Sequence, residues 1–272
     1  MKIFDAIEFV REIESGGSTY PWIIKVVNDN SQPVPFVVKL FTDKQTEAQH
    51  PIAKEIMGSI LASEFELTVP DFALINFTDS FLYSLPEIYR NKLRDKHKGL
   101  KFGCEYKEDA IIVNINNQKA FWKTYEIGSI FAFDNLVMNL DRGGLRSKPN
   151  LMIDKEDFIL IDHEQLFPFS NDENYYNDLV IKQFHEEIWN YDAQHHLFYP
   201  YLKTMRADEK DGLFDTFHEH LRLFNIRALD NAMKTLQDHN ISVGNYPLIR
   251  DYLLAVKNQS SSFIKLLKYS IS

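Results

Sequence analysis

Cysteine is nearly missing from this chain of 272 residues, because Cys104 is the only one. A single cysteine cannot form an intrachain disulfide, and it cannot supply the paired thiolates of a zinc site. The N-terminus has no basic start followed by an apolar run, so it does not resemble a secretory signal. No stretch reaches the roughly 20 apolar residues that a membrane-spanning helix needs. We therefore expect a cytoplasmic protein without a membrane partner.

Several common catalytic strings are also missing. The sequence has no G-x-x-x-x-G-K-[ST] string of a P-loop enzyme and no G-x-S-x-G string of an α/β-hydrolase. The nine histidines do not form an H-E-x-x-H zinc motif, and we interpret them as surface or helix-packing residues. These absences argue against P-loop nucleotide hydrolysis, serine hydrolysis and zinc-dependent proteolysis.

Positive charge is in deficit, because 30 Lys and Arg stand against 39 Asp and Glu and give a net charge of -9. Such a chain has no strong basic field to attract the phosphates of DNA or RNA, so we do not expect a nucleic-acid partner. A basic run from Arg90 to Lys101 is a local exception. We interpret that run as a solvated helix or loop.

The N-terminal part has the pattern of strands, then a helix, then another strand. Apolar, β-branched runs separated by turn residues predict an antiparallel meander. These runs cover residues 6–14, 22–28 and 36–41. Pro51 suits the first turn of a helix, in which Ile52 and Ile56 recur at helical spacing. A further strand is predicted at 72–77.

The rest of the chain is predicted to be mainly helical. Residues 124–139 have a wide apolar face, and a β-turn-β unit follows them. After residue 175 the pattern predicts only helices, at about 182–205, 210–239 and 246–269. Between residues 80 and 120 polarity rises and the pattern weakens, which indicates a boundary within the chain.

The most informative stretch runs from Phe133 to Phe167. A helix leads to Asp141, a glycine-containing loop leads to Asn150, and an apolar strand ends at Asp162. Phosphoryl transfer in kinases uses Asp, Asn and Asp in this order: the first orients the attacking hydroxyl, and the other two are hard oxygen ligands for Mg²⁺. Taken singly, each of these residues is more typical of a turn or a strand end. The three together, with these elements between them, favour kinase chemistry.

Lys39 lies within the apolar third strand of the predicted meander. Burial of an ammonium group without an anionic partner is costly, so phosphate oxygens and a glutamate would satisfy it. Glu55 lies on the following helix and could reach Lys39, with Glu47 as a rival if that helix begins earlier. The alternative is an edge lysine that protects the rim of a sheet.

Gly16 and Gly17 lie between the first two strands, next to Ser18. A glycine-rich loop lets backbone N–H groups approach phosphate closely, so these three residues are candidates for ATP binding. Many hairpins contain two glycines, and an ordinary turn is the alternative interpretation.

The sequence around these residues resembles that of the HipA-like kinase family. Members of this family are distant relatives of the HipA toxin kinase and, more remotely, of phosphatidylinositol kinases. The matching strings are PFVVKLF, AKEIMGSILASEFELTVPDFALI, FDNLVMNLDR, KPNLMI and FILIDHEQLF. The resemblance covers most of residues 5–269. It implies one kinase domain over residues 1–272 with an α+β, bilobal, protein-kinase-like fold. The small β-rich N-lobe would cover about 1–85 and the mainly helical C-lobe about 86–272.

The resemblance also implies a role for each candidate. Lys39 looks like the lysine that pairs with ATP phosphates, and Glu55 looks like its helix partner. Asp141 looks like the catalytic base, whereas Asn150 and Asp162 look like the Mg²⁺ ligands.

Two features depart from the pattern of the family. The loop from Asp141 to Asn150 is longer than in typical members, and Glu164 stands where relatives often have a small residue. The longer loop bears on whether Asn150 is the residue that matches the metal ligand of the family. Glu164 leaves the metal ligands intact.

The function implied is that of an ATP- and Mg²⁺-dependent phosphotransferase, foremost a Ser/Thr protein kinase with a protein substrate. One alternative is a catalytically inactive member that binds nucleotide as a regulatory module. Another is a kinase that acts on a small molecule or lipid head group. The presence of Lys39, Asp141 and Asp162 favours an active enzyme. The sequence identifies neither the acceptor nor an antitoxin-like partner.

Overall fold

The computed structural model describes residues 1–14, 20–114, 119–122, 125–139, 141–143, 148–155, 157–171, 179–187 and 193–272. Its fold is mixed α+β, with strands in the N-terminal part and mostly helices in the C-terminal part. Within these ranges, no helix is long and apolar enough to cross a membrane.

The N-terminal part is built on five strands. They are β1 (Ile3–Glu12), β2 (Trp22–Val27), β3 (Pro33–Val38), β4 (Phe72–Asn76) and β5 (Lys101–Glu105). They form a closed barrel in the order β1-β2-β3-β5-β4. The first three make the antiparallel meander that the sequence predicts. Closure requires β1 to run parallel to β4, with Phe4 opposite Ile75, a pairing that no local pattern indicated.

Alternate residues of each strand fill the barrel, as the period of two requires. Trp22 and Ile24 of β2 and Phe36 and Val38 of β3 are buried inside. The Phe4 and Phe36 rings meet edge to face, with centroids 5.8 Å apart. Because Val38 points inward, the next residue of the chain points to the outer face of the barrel.

Two helices follow β3, α1 (Asp43–Gln49) and α2 (Pro51–Glu64). The Thr42 side chain accepts the Gln45 N–H at 3.2 Å and caps α1, and the Gln45 side chain accepts the Thr42 N–H in return. α2 is buried at 11 of its 14 positions. A helix buried nearly all round must lie between two layers, and α2 contacts both β5 and the C-terminal helices.

The remaining elements form the C-terminal part and its connections. The helices are α3 (Asp79–Ser84), α4 (Glu87–Lys92), α5 (Lys119–Trp122), α6 (Ile127–Leu136), α7 (Leu179–His185), α8 (Tyr199–Lys203), α9 (Ala207–Lys210), α10 (Asp215–Leu223), α11 (Arg227–Asp238), α12 (Tyr246–Asn258) and α13 (Ser260–Ser270). A second antiparallel sheet has the order β6 (Ile111–Ile112), β7 (Leu151–Asp154) and β8 (Asp157–Leu160). α6 is buried along its whole length and lies in the larger hydrophobic core.

The prediction of three long helices after residue 175 is wrong, because each predicted range is divided into shorter helices. The predicted helix at 210–239 is divided because Phe224 has an extended backbone, with ψ at 132°. Gln259, with φ at -117°, divides α12 from α13. Pro200 lies in the first turn of α8, where proline fits, because it is not tolerated in a helix interior. Apolar spacing continues across such breaks, so periodicity alone does not reveal them.

Gly58 marks a close approach of α2 to the segment that follows β8. A Cβ atom at this position would lie 2.5 Å from His163 Cγ and 2.7 Å from Leu166 Cδ1. We predict that Gly58→Ala destabilises the fold. Overpacking at this position should cost about 1–3 kcal/mol or more, whereas alanine gains only ~1 kcal/mol over glycine in a helix. Urea unfolding should show a lower midpoint, whereas an unchanged or higher midpoint would contradict this packing.

Candidate active site

Lys39 follows the last residue of β3, although the sequence predicted a strand that includes it. Its backbone N–H still donates to the Phe102 carbonyl at 3.2 Å, so the chain remains paired to β5. The side chain leaves the barrel on its outer face and is 13% exposed. There the ammonium group binds Glu55, and it lies 2.5 Å from Asp162 Oδ1 and 3.4 Å from Glu164 Oε2.

Glu55 connects Lys39 with the segment that follows β8. One carboxylate oxygen binds the Lys39 ammonium, and the other accepts the His163 backbone N–H at 3.0 Å. Burial raises the pKa of Glu55 to about 7 against the opposing effect of Lys39. Burial alone would lower the pKa of Lys39, but Asp162 and the two glutamates hold it well above its ordinary value. The rival Glu47 is exposed on α1.

Asp162 comes two residues after β8 and has a φ of 64°. This left-handed conformation is uncommon outside glycine, and aspartate tolerates it better than most residues. Burial alone would raise the pKa of Asp162, but the charge and hydrogen bond of Lys39 lower it below its ordinary value. Asp162 is therefore ionised at neutral pH and adds a negative charge beside the Lys39 ammonium group.

Asp141 and Asn150 lie in direct contact. The Asn150 side-chain Nδ2 donates to Asp141 Oδ2 at 2.9 Å and to the Asp141 carbonyl at 3.2 Å. Since the amide nitrogen is engaged in this way, its oxygen Oδ1 remains as a hard donor atom. Asn150 has a φ of 44°, in the left-handed region that asparagine adopts more readily than most residues.

The β7–β8 hairpin brings Asn150 and Asp162 to the same end of the second sheet. Leu151 pairs with Leu160, and the Ile161 N–H donates to the Asn150 carbonyl at 3.3 Å. Residues that flank one pair of an antiparallel ladder lie at the same edge. The three candidates of the central motif therefore converge, since Asp141 contacts Asn150.

A buried network behind Asp141 was missed by the sequence analysis. Asp134 of α6 accepts from Arg142 Nε at 2.8 Å, from His196 Nε2 at 2.9 Å and from Asn139 Nδ2 at 2.8 Å. Asn139 Oδ1 in turn accepts the Asp141 backbone N–H at 3.1 Å. The network fixes the backbone that carries Asp141.

Arg142 ties this network to the loop beside it, because its guanidinium group also donates to the Asn150 carbonyl. Burial alone would raise the pKa of Asp134, but Arg142 and His196 lower it below its ordinary range. The sequence contained one signal, an aspartate within the apolar run IFAFDNLVMNL, because a buried carboxylate must be paired. Its partner His196, 62 residues away, had no local signal.

Several of the candidate residues lie outside the described ranges. They are Gly16, Gly17 and Ser18 of the glycine-containing loop, together with residues 144–147 of the longer loop. Their proposed contacts with ATP stay predictions.

The oxygen donors of the site suit a hard divalent cation. The carboxylates of Glu55, Asp162 and Glu164 have oxygen atoms within 4.8 Å of one another, but the Lys39 ammonium bonds to all three. The amide oxygen of Asn150 and the second oxygen of Asp162 are ligands of the type that Mg²⁺ prefers. These two residues therefore fit Mg²⁺ by their chemistry.

Comparisons with known proteins agree with the mixed α+β architecture. A sequence profile described as HipA-like kinase matches residues 6–207. The fold is similar to the crystal structure of a Helicobacter pylori proinflammatory kinase, CtkA, with a TM-score of 0.50 and 11% identity over 92% of this chain and 94% of that chain. The FAT and kinase domain of CtTel1 gives a TM-score of only 0.29 at 12% identity, covering 98% of this chain and 21% of that chain. A search of curated proteins finds no match.

His196 makes the stability of the fold depend on pH. Burial lowers the pKa of His196 although Asp134 opposes the change. The unfolded chain binds a proton at about pH 6.5, and the folded chain binds it only at lower pH. The free energy of unfolding should therefore decrease as the pH drops below about 6.5, by up to ~1.4 kcal/mol per pH unit for this group. We predict that His196→Gln, whose amide can still donate to Asp134, loses less stability than the wild type between about pH 7 and 5.

Urea unfolding at several pH values measures this difference. His163, whose pKa burial lowers to about 3, adds a parallel pH dependence that both proteins share. Phe131→Leu is the matched control, because the Phe131 ring packs edge-on against His196 with centroids 5.0 Å apart and does not titrate. This control should lower stability and keep the wild-type pH slope. Equal slopes in His196→Gln and the wild type would show that His196 is not the titrating group.

Proposed function

The chain belongs to the HipA-like kinase family, and from this premise we propose that it is an ATP- and Mg²⁺-dependent kinase that phosphorylates Ser or Thr in a protein substrate. Membership of the family makes it a kinase-type phosphotransferase. The observation that most supports the finer proposal is the cluster in which Lys39 binds both Glu55 and Asp162. Lys39 and Glu55 are 16 residues apart, whereas Asp162 lies 123 residues from Lys39. Phosphoryl transfer in protein kinases requires all three residue types.

We also propose a bilobal arrangement, with the barrel as the small lobe and the helical part as the large lobe. Two separate clusters of buried hydrophobic side chains support it, one inside the barrel and one around α6. β5 pairs with β3 and β4 within the barrel. This pairing favours moving the lobe boundary from about residue 85 to a position after Glu105.

In this proposal Lys39 binds phosphate oxygens of ATP. A phosphate that takes the place of one of the three carboxylates would favour the charged ammonium group in the same way, because it is also an anion. Glu55 is suited to stay with Lys39, because the His163 N–H holds it from the other side. Asn150 and Asp162 would hold Mg²⁺, which when bound neutralises the charge of the phosphates.

Asp141 would act on the acceptor hydroxyl. One of its carboxylate oxygens, Oδ2, accepts from Asn150, which leaves Oδ1 to accept a hydrogen bond from the attacking hydroxyl. The Asn139 side chain fixes the Asp141 backbone, so the carboxylate has a defined position before a substrate arrives. Such preorganisation is what general base catalysis requires.

The proposed substrate and location follow from the family and from composition. We propose a protein acceptor because the HipA toxin kinase that this family resembles is a Ser/Thr kinase. A cytoplasmic location would suit an ATP-dependent enzyme with one cysteine and would keep that thiol reduced. A net charge of -9 does not favour a nucleic-acid substrate.

Phosphotransfer from radiolabelled ATP tests the function and the role of Asp141 together. With Mg²⁺ and a library of Ser- and Thr-containing peptides, the wild type should transfer label. We predict that Asp141→Asn lowers turnover by about a hundredfold or more and keeps ATP affinity, because Asp141 acts on the hydroxyl. Asp157→Asn is the matched control, since Asp157 is exposed at the other end of the β7–β8 hairpin.

Two other results would contradict this role. Equal losses of ATP affinity and turnover in Asp141→Asn would make Asp141 a structural residue. ATP binding without transfer to any peptide would favour the inactive regulatory module or a small-molecule acceptor.

Melting temperature tests the proposed Mg²⁺ ligands. ATP with Mg²⁺ should raise the melting temperature, because a ligand that binds only the folded state stabilises it. We predict that Asp162→Asn loses most of the Mg²⁺-dependent part of this rise and that Asn150→Ala needs more Mg²⁺ for half-maximal activity. Glu164→Gln is the comparison for charge alone, since it also removes a carboxylate from Lys39 and should lose a smaller part of the rise. If Asp162→Asn and Glu164→Gln behave alike, Asp162 acts through Lys39 alone.

A further inference from the structure

Lys54 is a buried lysine that the proposed chemistry does not use. It is 2% exposed, and it precedes Glu55 directly on α2. Its ammonium group donates to Asn171 Oδ1. No carboxylate in the described ranges forms an ion pair with it, and burial lowers its pKa to about 8. An apolar side chain would fill this position at a lower cost in free energy, so packing alone does not account for a lysine.

The partner of Lys54 belongs to the segment that follows Asp162. Residues 163–171 pass beneath α2, and Asn171 stands at the end of a short 3₁₀ turn, Pro168–Ser170. The same segment is fastened to α2 at Gly58, where the His163 side chain fills the space of a Cβ atom. Lys54 and Gly58 are four residues apart and so lie on one face of the helix.

From this geometry we propose that Lys54 is a positioning residue, which locks α2 and the carboxylate of Glu55 onto the segment that follows Asp162. The inference rests on the proposed kinase function. Glu55 can bind Lys39 and the His163 N–H together only while α2 keeps its place on this segment. A shift of about 1 Å in a group that positions reacting atoms can cost a hundredfold in rate.

The hydrogen bond between Lys54 and Asn171, here called the lock, lies near the N-terminal end of α2, where the helix has another attachment. His50, which precedes α2, bonds through Nδ1 to Ser242 Oγ at 2.8 Å. That bond holds α2 to the connection between α11 and α12, whereas the Lys54–Asn171 bond holds it to the segment that follows Asp162. Loss of Lys54 should therefore leave the helix folded and change its position relative to Asp162.

Lys101 provides a matched control for the removal of a buried lysine. It is 5% exposed, burial lowers its pKa to about 8, and its ammonium group donates to the Gly99 carbonyl at 2.8 Å. Its ammonium group also lies 4.6 Å from the Phe77 ring centroid, within the barrel part of the chain. Lys101→Met thus loses a comparable buried charge and no contact with residues 163–171.

The test compares Lys54→Met, Asn171→Ala and Lys101→Met at a temperature well below their melting points. The two changes at the lock should lower kcat/KM for ATP by about 10- to 100-fold. They should also speed hydrogen exchange of the His163 amide, whose acceptor is Glu55. Lys101→Met should change neither quantity. Wild-type kcat/KM and exchange in both lock variants would overturn the inference.

Asn171→Asp tests the same bond by strengthening it instead of removing it. A carboxylate at this position gives the buried ammonium group a charged partner, which is a stronger hydrogen bond than an amide oxygen provides. The melting temperature should rise in the protein with Lys54 and should not rise when Lys54→Met is also present. A rise that persists without Lys54 would overturn the inference.

The exchange and melting experiments need no catalysis. A protein that transfers no phosphate would refute the proposed function and would leave these measurements to decide whether Lys54 positions α2. Asn171→Ala keeps Lys54 in place and changes an exposed residue, so it still reports on the lock if Lys54→Met does not fold.

Discussion

The buried pairing of Lys39 with Glu55 constrains how the two parts of this chain fit together. Lys39 leaves the barrel on its outer face, and Glu55, at 1% exposure, has no access to water that could solvate its charge. A single buried charge without its partner costs several kcal/mol. The barrel and α2 must therefore meet at this point. The second oxygen of Glu55 extends the constraint to His163, so the segment after β8 is fixed by the same carboxylate.

A second constraint fixes the other half of the candidate site. Asp134 is buried and ionised, and its partners Arg142 and His196 come from different parts of the chain. Because Arg142 also holds the Asn150 carbonyl, one buried carboxylate determines the positions of both Asp141 and Asn150. Side chains that perform chemistry are most precisely placed when buried neighbours lock them, and here α6 and the β7–β8 hairpin provide this support.

The sequence could predict what local patterns and the cost of burial determine. The meander, α2 and the pairing of Lys39 with a glutamate of the following helices, Glu55 or Glu47, follow from strand alternation, from Pro51 and from the need to pair a buried ammonium group. The parallel pairing of β1 with β4 and the position of β5 depend on residues about 70 and 65 positions apart, and such pairings leave no local pattern.

Charge balance gives Glu164 a place in the proposed chemistry. Three carboxylates surround one ammonium group at Lys39, so the cluster carries more negative than positive charge. A triphosphate is itself an anion and would be repelled by this excess in a site of low dielectric. Cations must therefore arrive with the nucleotide, and the surplus that Glu164 adds strengthens their attraction. The departure from the family pattern at Glu164 thus favours tight coupling between ATP binding and Mg²⁺ binding in the proposed kinase.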